Sequence, residues 1–172
     1  MIMPMIFPQA DAVEGLKAAM RFYPAGVTVI TAGRGDARRG LTATAFTSVT
    51  MEPPTVLVCV NRNGAAHRAI TENRHFCVNI LCEQSRDLAE SFAGMTGKTG
   101  ADQFEGFEWV ETCDGAPAYA FAQASVACDL TQAVEAGSHS IFIGEVREAA
   151  LNPDRHPLLH YNRGFHAVGA AR

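Results

Sequence analysis

Thr42-Ala-Thr-Ala-Phe-Thr-Ser-Val-Thr50, then Met51-Glu-Pro-Pro54, then Thr55-Val-Leu-Val-Cys-Val60, is the stretch on which the fold turns. The first segment is rich in small hydroxyls and β-branched residues, the composition of a strand. Two prolines separate it from the second, because proline brings no N–H to a ladder. The second segment is a short apolar run and reads as a strand with little solvent exposure. Asn61-Arg-Asn-Gly64 ends that run and leads into a short helix, about Ala65 to Thr71.

Upstream, Gly26 to Ala32 is a β-branched run and reads as another strand. Gly33-Arg-Gly-Asp-Ala-Arg-Arg-Gly40 then reads as a hairpin loop. It is not a dinucleotide fingerprint: Arg38 stands where the third glycine belongs, and a strand follows instead of a helix. Before it, Val13, Leu16, Met20 and Tyr23 line one face of a helix from Asp11 to Tyr23. Asp11 with Glu14 suggests a capping box, and Pro24 stops the helix. Downstream, His75 to Leu81 is a strand, and Ser85 caps a helix carrying Leu88 and Phe92. Gly94 to Gly106 is glycine-rich and polar, the pattern of a mobile loop. Later strands are expected near Phe107–Glu111, Ala118–Ala133, Ser138–Leu151 and Leu158–Val168. No repeat or linker divides residues 1–172. They read as a single domain, mainly β with short α-helices, whose successive strands form an antiparallel barrel.

Composition narrows the function. Of 172 residues 48% are apolar, and 14 Lys plus Arg stand against 18 Asp plus Glu, for a net charge of −4. No basic run exceeds Arg38-Arg39, which argues against nucleic acid. No apolar stretch reaches the roughly 18–20 residues of a membrane span. The opening MIMPMIFPQA lacks a basic start and carries Pro4 and Pro8, so it makes a poor signal sequence. Five cysteines, an odd number with no CxxC pair, read as reduced thiols in a cytoplasmic protein.

Hydrolytic signatures such as GxSxG and HExxH are missing. His156, His160 and His166 raise a metal reading, but Pro157 breaks helical spacing and no carboxylate or thiolate supports them. No metal is expected. The corner Asn61, Arg62, Asn63 and Gly64 runs from a strand end to a helix start, where N–H groups and a guanidinium favour a phosphate. The short side chains of Thr42, Ala43, Thr44 and Ala45 would let a flat ring lie against the backbone. On spacing alone a second reading stands beside this one: threonines chosen for β propensity and Arg62 as a solvated loop residue.

The order of segments resembles the flavin reductase family. The matching pieces are Gly26-Val-Thr-Val-Ile-Thr31, Leu41 to Thr50, Pro53-Pro54, Val58-Cys-Val-Asn-Arg62 and Phe76-Cys-Val-Asn-Ile-Leu81. Leu88-Ala89 with Phe92-Ala93, Phe104 before Trp109, Gly115 with Pro117, Gly137-Ser-His139, Gly144-Glu-Val146 and Pro157-Leu-Leu159 complete the series. It spans roughly residues 15–168. The chain departs at Ser138, where many relatives carry Asp, and in using threonine where serine is common on the first flavin strand.

The resemblance implies a flavin-binding split β-barrel, antiparallel and Greek-key-like, that forms a homodimer. It implies hydride transfer from NADH or NADPH to FMN or FAD, with the reduced flavin supplied to a partner monooxygenase, as in 4-hydroxyphenylacetate hydroxylation. Carried over, Thr42, Ala43, Thr44, Ala45, Ser48 and Val49 line the ring, and Asn61, Arg62 and Asn63 hold the phosphate. Phe104 covers part of the flavin from the glycine-rich loop, and His139, Tyr161 and Phe165 face the nicotinamide. Cys59 counts among the lining positions, although it and Cys128 read as packed thiols and not as redox centres. Alternatives within the same shape are a reductase that keeps FMN and serves a corrinoid acceptor, a non-enzymatic flavin-binding module, and a pyridoxamine-phosphate oxidase-like barrel.

Overall fold

Two hydrophobic clusters on opposite sides of one strand organise this computed structural model, which describes residues 11–168. The opening MIMPMIFPQA segment lies outside the described residues. In chain order the elements are α1 (Ala12–Arg21), β1 (Ala25–Gly26), β2 (Thr28–Ala32), β3 (Arg39–Ala43), β4 (Phe46–Met51), β5 (Pro54–Asn61), α2 (Ala65–Asn73), β6 (His75–Ile80) and α3 (Arg86–Phe92). Then come β7 (Trp109–Glu111), β8 (Pro117–Tyr119), β9 (Ala124–Ala136), β10 (His139–Leu151), β11 (Leu158–Tyr161) and β12 (Gly164–Ala167). The fold is mainly antiparallel β with short helices, as the sequence implies.

β2 is buried along its whole length because both its faces are covered. Ile30 points into the cluster of Val58, Phe76, Val78 and Phe142, and Ile70 of α2 belongs to the same cluster. Val29 points the other way, to Leu88, Phe92, Phe104 and Leu158. That double covering explains the unbroken apolar run in the sequence. Between the layers Asn79 is fully buried, and its amide donates to Val29 O at 3.0 Å. Its Oδ1 accepts from Tyr119 N at 2.7 Å and Ser125 Oγ at 2.9 Å, which ties β2, β6, β8 and β9 together.

The main sheet has seven strands in the order β3-β2-β6-β9-β10-β5-β4. Its two outermost strands are successive pieces of chain, so the sheet curls until its ends meet at Thr44 and Ala45. The stretch read as one strand from Thr42 to Thr50 is therefore two. β3 pairs with β2, β4 pairs with β5, and the break between them brings the two ends of a split barrel near each other.

Other boundaries shift for local reasons. Asp11 caps α1 by accepting from Val13 N at 2.9 Å, but Glu14 pairs with Lys17 instead of completing a capping box. Ser85 stands at the start of α3 without capping it, because its hydroxyl meets the Cys82 thiol at 3.1 Å. The segment read as a strand from Ala118 to Ala133 breaks into β8 and β9, and the terminal piece is the hairpin β11–β12. The expected mobile loop contains a 3-10 turn, Gly100–Phe104, anchored by its last residue.

Asn79→Leu is expected to lower stability by about 2–4 kcal/mol, because it removes the partner of the Tyr119 N–H and the Ser125 hydroxyl and the amide bond to Val29 O. Urea denaturation reads this as a lower midpoint, and an unchanged midpoint contradicts the role given to Asn79.

Candidate functional site

The link between β3 and β4 is pinned from several sides. Thr28 Oγ1 donates to Ala43 O at 2.7 Å, and Thr42 Oγ1 donates to Ala89 O at 2.7 Å, which fixes α3 against β3. Gly40 permits this approach: a Cβ there would lie 2.6 Å from Phe92 Cε1 and 2.9 Å from Ile30 O. Cys59 N donates to Ala45 O at 3.1 Å, one rung past the β4–β5 ladder. Beyond that bond β3 and β5 belong to no common ladder, and a seam runs between them towards Arg39 and Asn61.

The wide end of the seam is a cavity of about 340 Å³ lined by Gly40, Leu41, Asn61 and the first residues of α2. Arg39, whose Nη1 donates to Asp36 O and Arg38 O, Lys98, which lies 3.8 Å from the exposed Glu105 carboxylate, and Thr99 line it as well. Asn61 forms the corner, where its Oδ1 accepts from Asn63 N at 2.9 Å and its carbonyl from Gly64 N at 3.1 Å. No side chain caps α2, so the N–H groups of its first turn are open to an acceptor. Open N–H groups, a positive helix end and two cations form a donor set suited to a phosphate monoester. A phosphorylated flavin fits these residues.

The structure brings some of the expected residues together and separates others. Asn61 lines the cavity, but Arg62 is turned to Glu135, with 2.9 Å between Nη2 and Oε1. This pair is exposed, so it holds Arg62 only weakly, but it directs the guanidinium to the β9–β10 hairpin. His139 lies opposite Asn61 on the neighbouring strand, and its Nδ1 meets Ser138 Oγ at 2.9 Å. His67, on the first turn of α2, meets Ser140 Oγ at 2.9 Å through Nε2. Burial and then the Arg62 charge push its pKa below the usual 6.5, while Glu135 opposes the shift.

On the outer face, Thr42, Ala43 and Thr44 line a cavity of about 330 Å³ together with Phe165 and His160. Thr44 and Ala45 line a second, of about 440 Å³, with Met20 and Tyr23. Tyr161 lines neither, and its ring packs on His166. Ser48 and Val49 are exposed on β4, and Cys59 is half-buried on β5.

Phe104 is a correction. It is 1% exposed and packs edge-on to Phe92 at 4.8 Å, beneath the Arg38 guanidinium. A ring so placed cannot cover a flavin; the glycines around it shape a folded turn whose aromatic end belongs to the core. Cys77 and Cys128 are packed thiols, each pushed up to about 12 chiefly by burial, so neither forms a thiolate at neutral pH. Sequence reasoning missed Arg39 and Lys98, and weighed His160 only for a metal. They come from separate loops and strands, and only the closed seam and the outer cavities show where they lie.

A split antiparallel barrel with a phosphate-suited seam is a shape that can position a cofactor carrying its own chemistry. Residues 20–169 match the flavin reductase like domain. The chain is 38% identical over 162 residues to the NADH-dependent FAD reductase of Streptomyces globisporus, covering 91% of this chain and 88% of that protein. It is 32% identical to the 4-hydroxyphenylacetate 3-monooxygenase reductase component of Pseudomonas aeruginosa, covering 92% and 94%. Among solved structures, the flavin reductase component of a bacterial two-component tryptophan halogenase superposes with a TM-score of 0.84 at 32% identity, over 92% of this chain and 99% of that one. The chain belongs to the flavin reductase family.

The His67 shift sets a pH dependence. Its folded pKa lies below 6.5, so the unfolded chain takes up a proton before the folded chain does. The stability that neutral His67 supports is complete above about pH 6.5 and declines as pH falls towards the folded pKa. His67→Gln keeps a partner for Ser140 and is expected to flatten that part of the pH–stability curve. An identical slope in wild type and variant contradicts the assignment.

Proposed function

We propose that the seam and the outer cavities along β3 are the seat of flavin reduction, and that the chain is an oxidoreductase moving hydride from NADH or NADPH to FMN or FAD. When bound, the flavin supplies the electron-accepting ring and the nicotinamide supplies the hydride. The residues of this chain bind and orient. The backbone of residues 42–45 and the Thr44 hydroxyl meet the ring, the first turn of α2 with Arg39 and Lys98 neutralises the phosphate, and Phe165 and His160 wall the outer side. The observation that carries this reading is the uncapped α2 N-terminus facing two cations in a cavity beside the small-residue link.

The product is reduced flavin for a separate monooxygenase. Relatives named as reductase components of resorcinol and 4-hydroxyphenylacetate hydroxylation support that role. We place the protein in the cytoplasm, in keeping with its free cysteines; among the described residues no helix is long and apolar enough to cross a membrane. What is left uncovered supports a homodimer. α1 buries none of its residues and exposes Leu16 and Met20, while the edge strand β4 exposes Val49 and Met51.

Arg39→Ala and Lys98→Ala are each expected to weaken FMN about tenfold while leaving riboflavin unchanged, with Arg62→Ala doing less. Fluorescence titration checks this; equal losses for FMN and riboflavin, or a dominant effect at Arg62, contradict the phosphate assignment. Light scattering at micromolar concentration is expected to give twice the chain mass, and a fully active monomer contradicts the dimer.

A further inference from the structure

Residues 61–65, the corner and the start of α2, are exposed, so little packing fixes the turn whose open N–H groups face the seam. No side chain caps that turn, and Ala65 and Ala66 have no polar group to hold it. Ala66 is buried, but a methyl group gives no directional hold. His67, the third residue of the helix, is the first that can provide one.

Its Nε2 meets Ser140 Oγ at 2.9 Å, its ring lies 4.9 Å from the Phe142 ring, and its carbonyl accepts from Thr71 Oγ1 at 2.9 Å. Ser140 is 3% exposed on β10, opposite Val60 of β5 and followed by Ile141, Phe142 and Ile143. A hydroxyl in so dry a place destabilises the fold unless it is paired, and among the described residues its side-chain partner is His67. This bond is directional and shielded from water, unlike the exposed Arg62–Glu135 pair. Both contacts start from one hairpin. Glu135 lies opposite Ser140 in the β9–β10 ladder, and Arg62 N also donates to Ser138 O at 3.0 Å. The hairpin thus holds the chain on both sides of residues 63–66, at Arg62 before them and at His67 after them.

We propose that Ser140 is a positioning residue: acting through His67, it fixes the first turn of α2 and so sets how strongly the protein prefers a phosphorylated flavin to riboflavin. The inference rests on the phosphate reading of the seam and adds the residue that holds the recognising turn in place. Neither His67 nor Ser140 lines the cavity, so their side chains act on the ligand through the backbone of the turn. N–H groups already held in one orientation lose less freedom when a phosphate binds, and that difference appears as affinity. The flavin ring makes no use of this turn, so riboflavin measures the rest of the site.

The test titrates flavin-free protein with FMN and with riboflavin, followed by flavin fluorescence. The proteins compared are wild type, Ser140→Ala, His67→Leu, the double variant and His67→Gln. Ser140→Ala and His67→Leu are each expected to weaken FMN about fivefold, with riboflavin within about twofold of wild type. The double variant is expected to lose no more than the larger single loss, because both substitutions remove the same bond. His67→Gln, which keeps a partner for Ser140, is expected to restore most of the FMN affinity. A general loosening of the fold weakens both flavins alike. That result overturns the inference, as do additive losses or an FMN-to-riboflavin ratio unchanged in Ser140→Ala. Wild type that binds riboflavin as tightly as FMN overturns the phosphate reading itself, since the turn then has no preference to set.

Discussion

The two ends of the split barrel are tethered by a bend in the chain, and among the described residues no ladder joins them. β3 and β4 are opposite ends of the main sheet and yet are separated only by Thr44 and Ala45, so the sheet must curl until its ends coincide. The β4–β5 pairing runs on to Cys59 N and Ala45 O, so β5 reaches as far as the bend. Much of the site follows from that constraint. A sheet tethered at one point is open on either side of it, so a ligand can approach residues 42–45, whose Ala43 and Ala45 carbonyls are already bonded within the fold. The first turn of α2 stands at the wide end of the same gap. Small residues are needed at the bend for the same reason: Gly40 lets Phe92 approach, and the Thr42 hydroxyl is spent on Ala89 O, which fixes α3.

Charge is distributed against the overall sign of the molecule. The chain is acidic in sum, but Arg39 and Lys98 gather at the end of the seam, and Arg21 and Arg163 gather beside the outer cavity. Local fields of this kind draw anionic ligands to particular concavities without making the whole protein basic. The arrangement suits a reaction in which both reactants bring their own chemistry. The protein then has to hold phosphates, flank rings and keep water-exposed groups out of the way, which needs no catalytic acid or base.

Much of the fold was legible in the sequence because its cues are local. β2, β5 and β6 are apolar and β-branched, and their bounds fall within two residues of those read from pattern. The break at Thr44 was not legible, since no glycine or proline marks it; it is imposed by the pairing of β3 and β4 with different neighbours. Phe104 was misread because glycines on both sides suggest mobility, while the aromatic cluster that buries it is assembled from α3 and β7. The site was legible in part. Residues 42–45 and Asn61 carry cues within a single strand or corner. Arg62 was drawn to the phosphate by its position beside a helix start, but Glu135, seventy-three positions away, holds it elsewhere. Arg39, Lys98 and Arg163 become neighbours of the site only through tertiary closure.

The central claim is that flavin occupies the seam along β3, and amide hydrogen exchange with and without FMN tests it most directly. Binding is expected to slow exchange across β3, the link to β4 and the first turn of α2, with little change in β7 and β8. A separate cavity of about 310 Å³ lies between that hairpin and the far ends of β9 and β10, lined by Val110, Ala118, Ala149 and Leu151. Protection concentrated there, with the seam unchanged, would contradict the account.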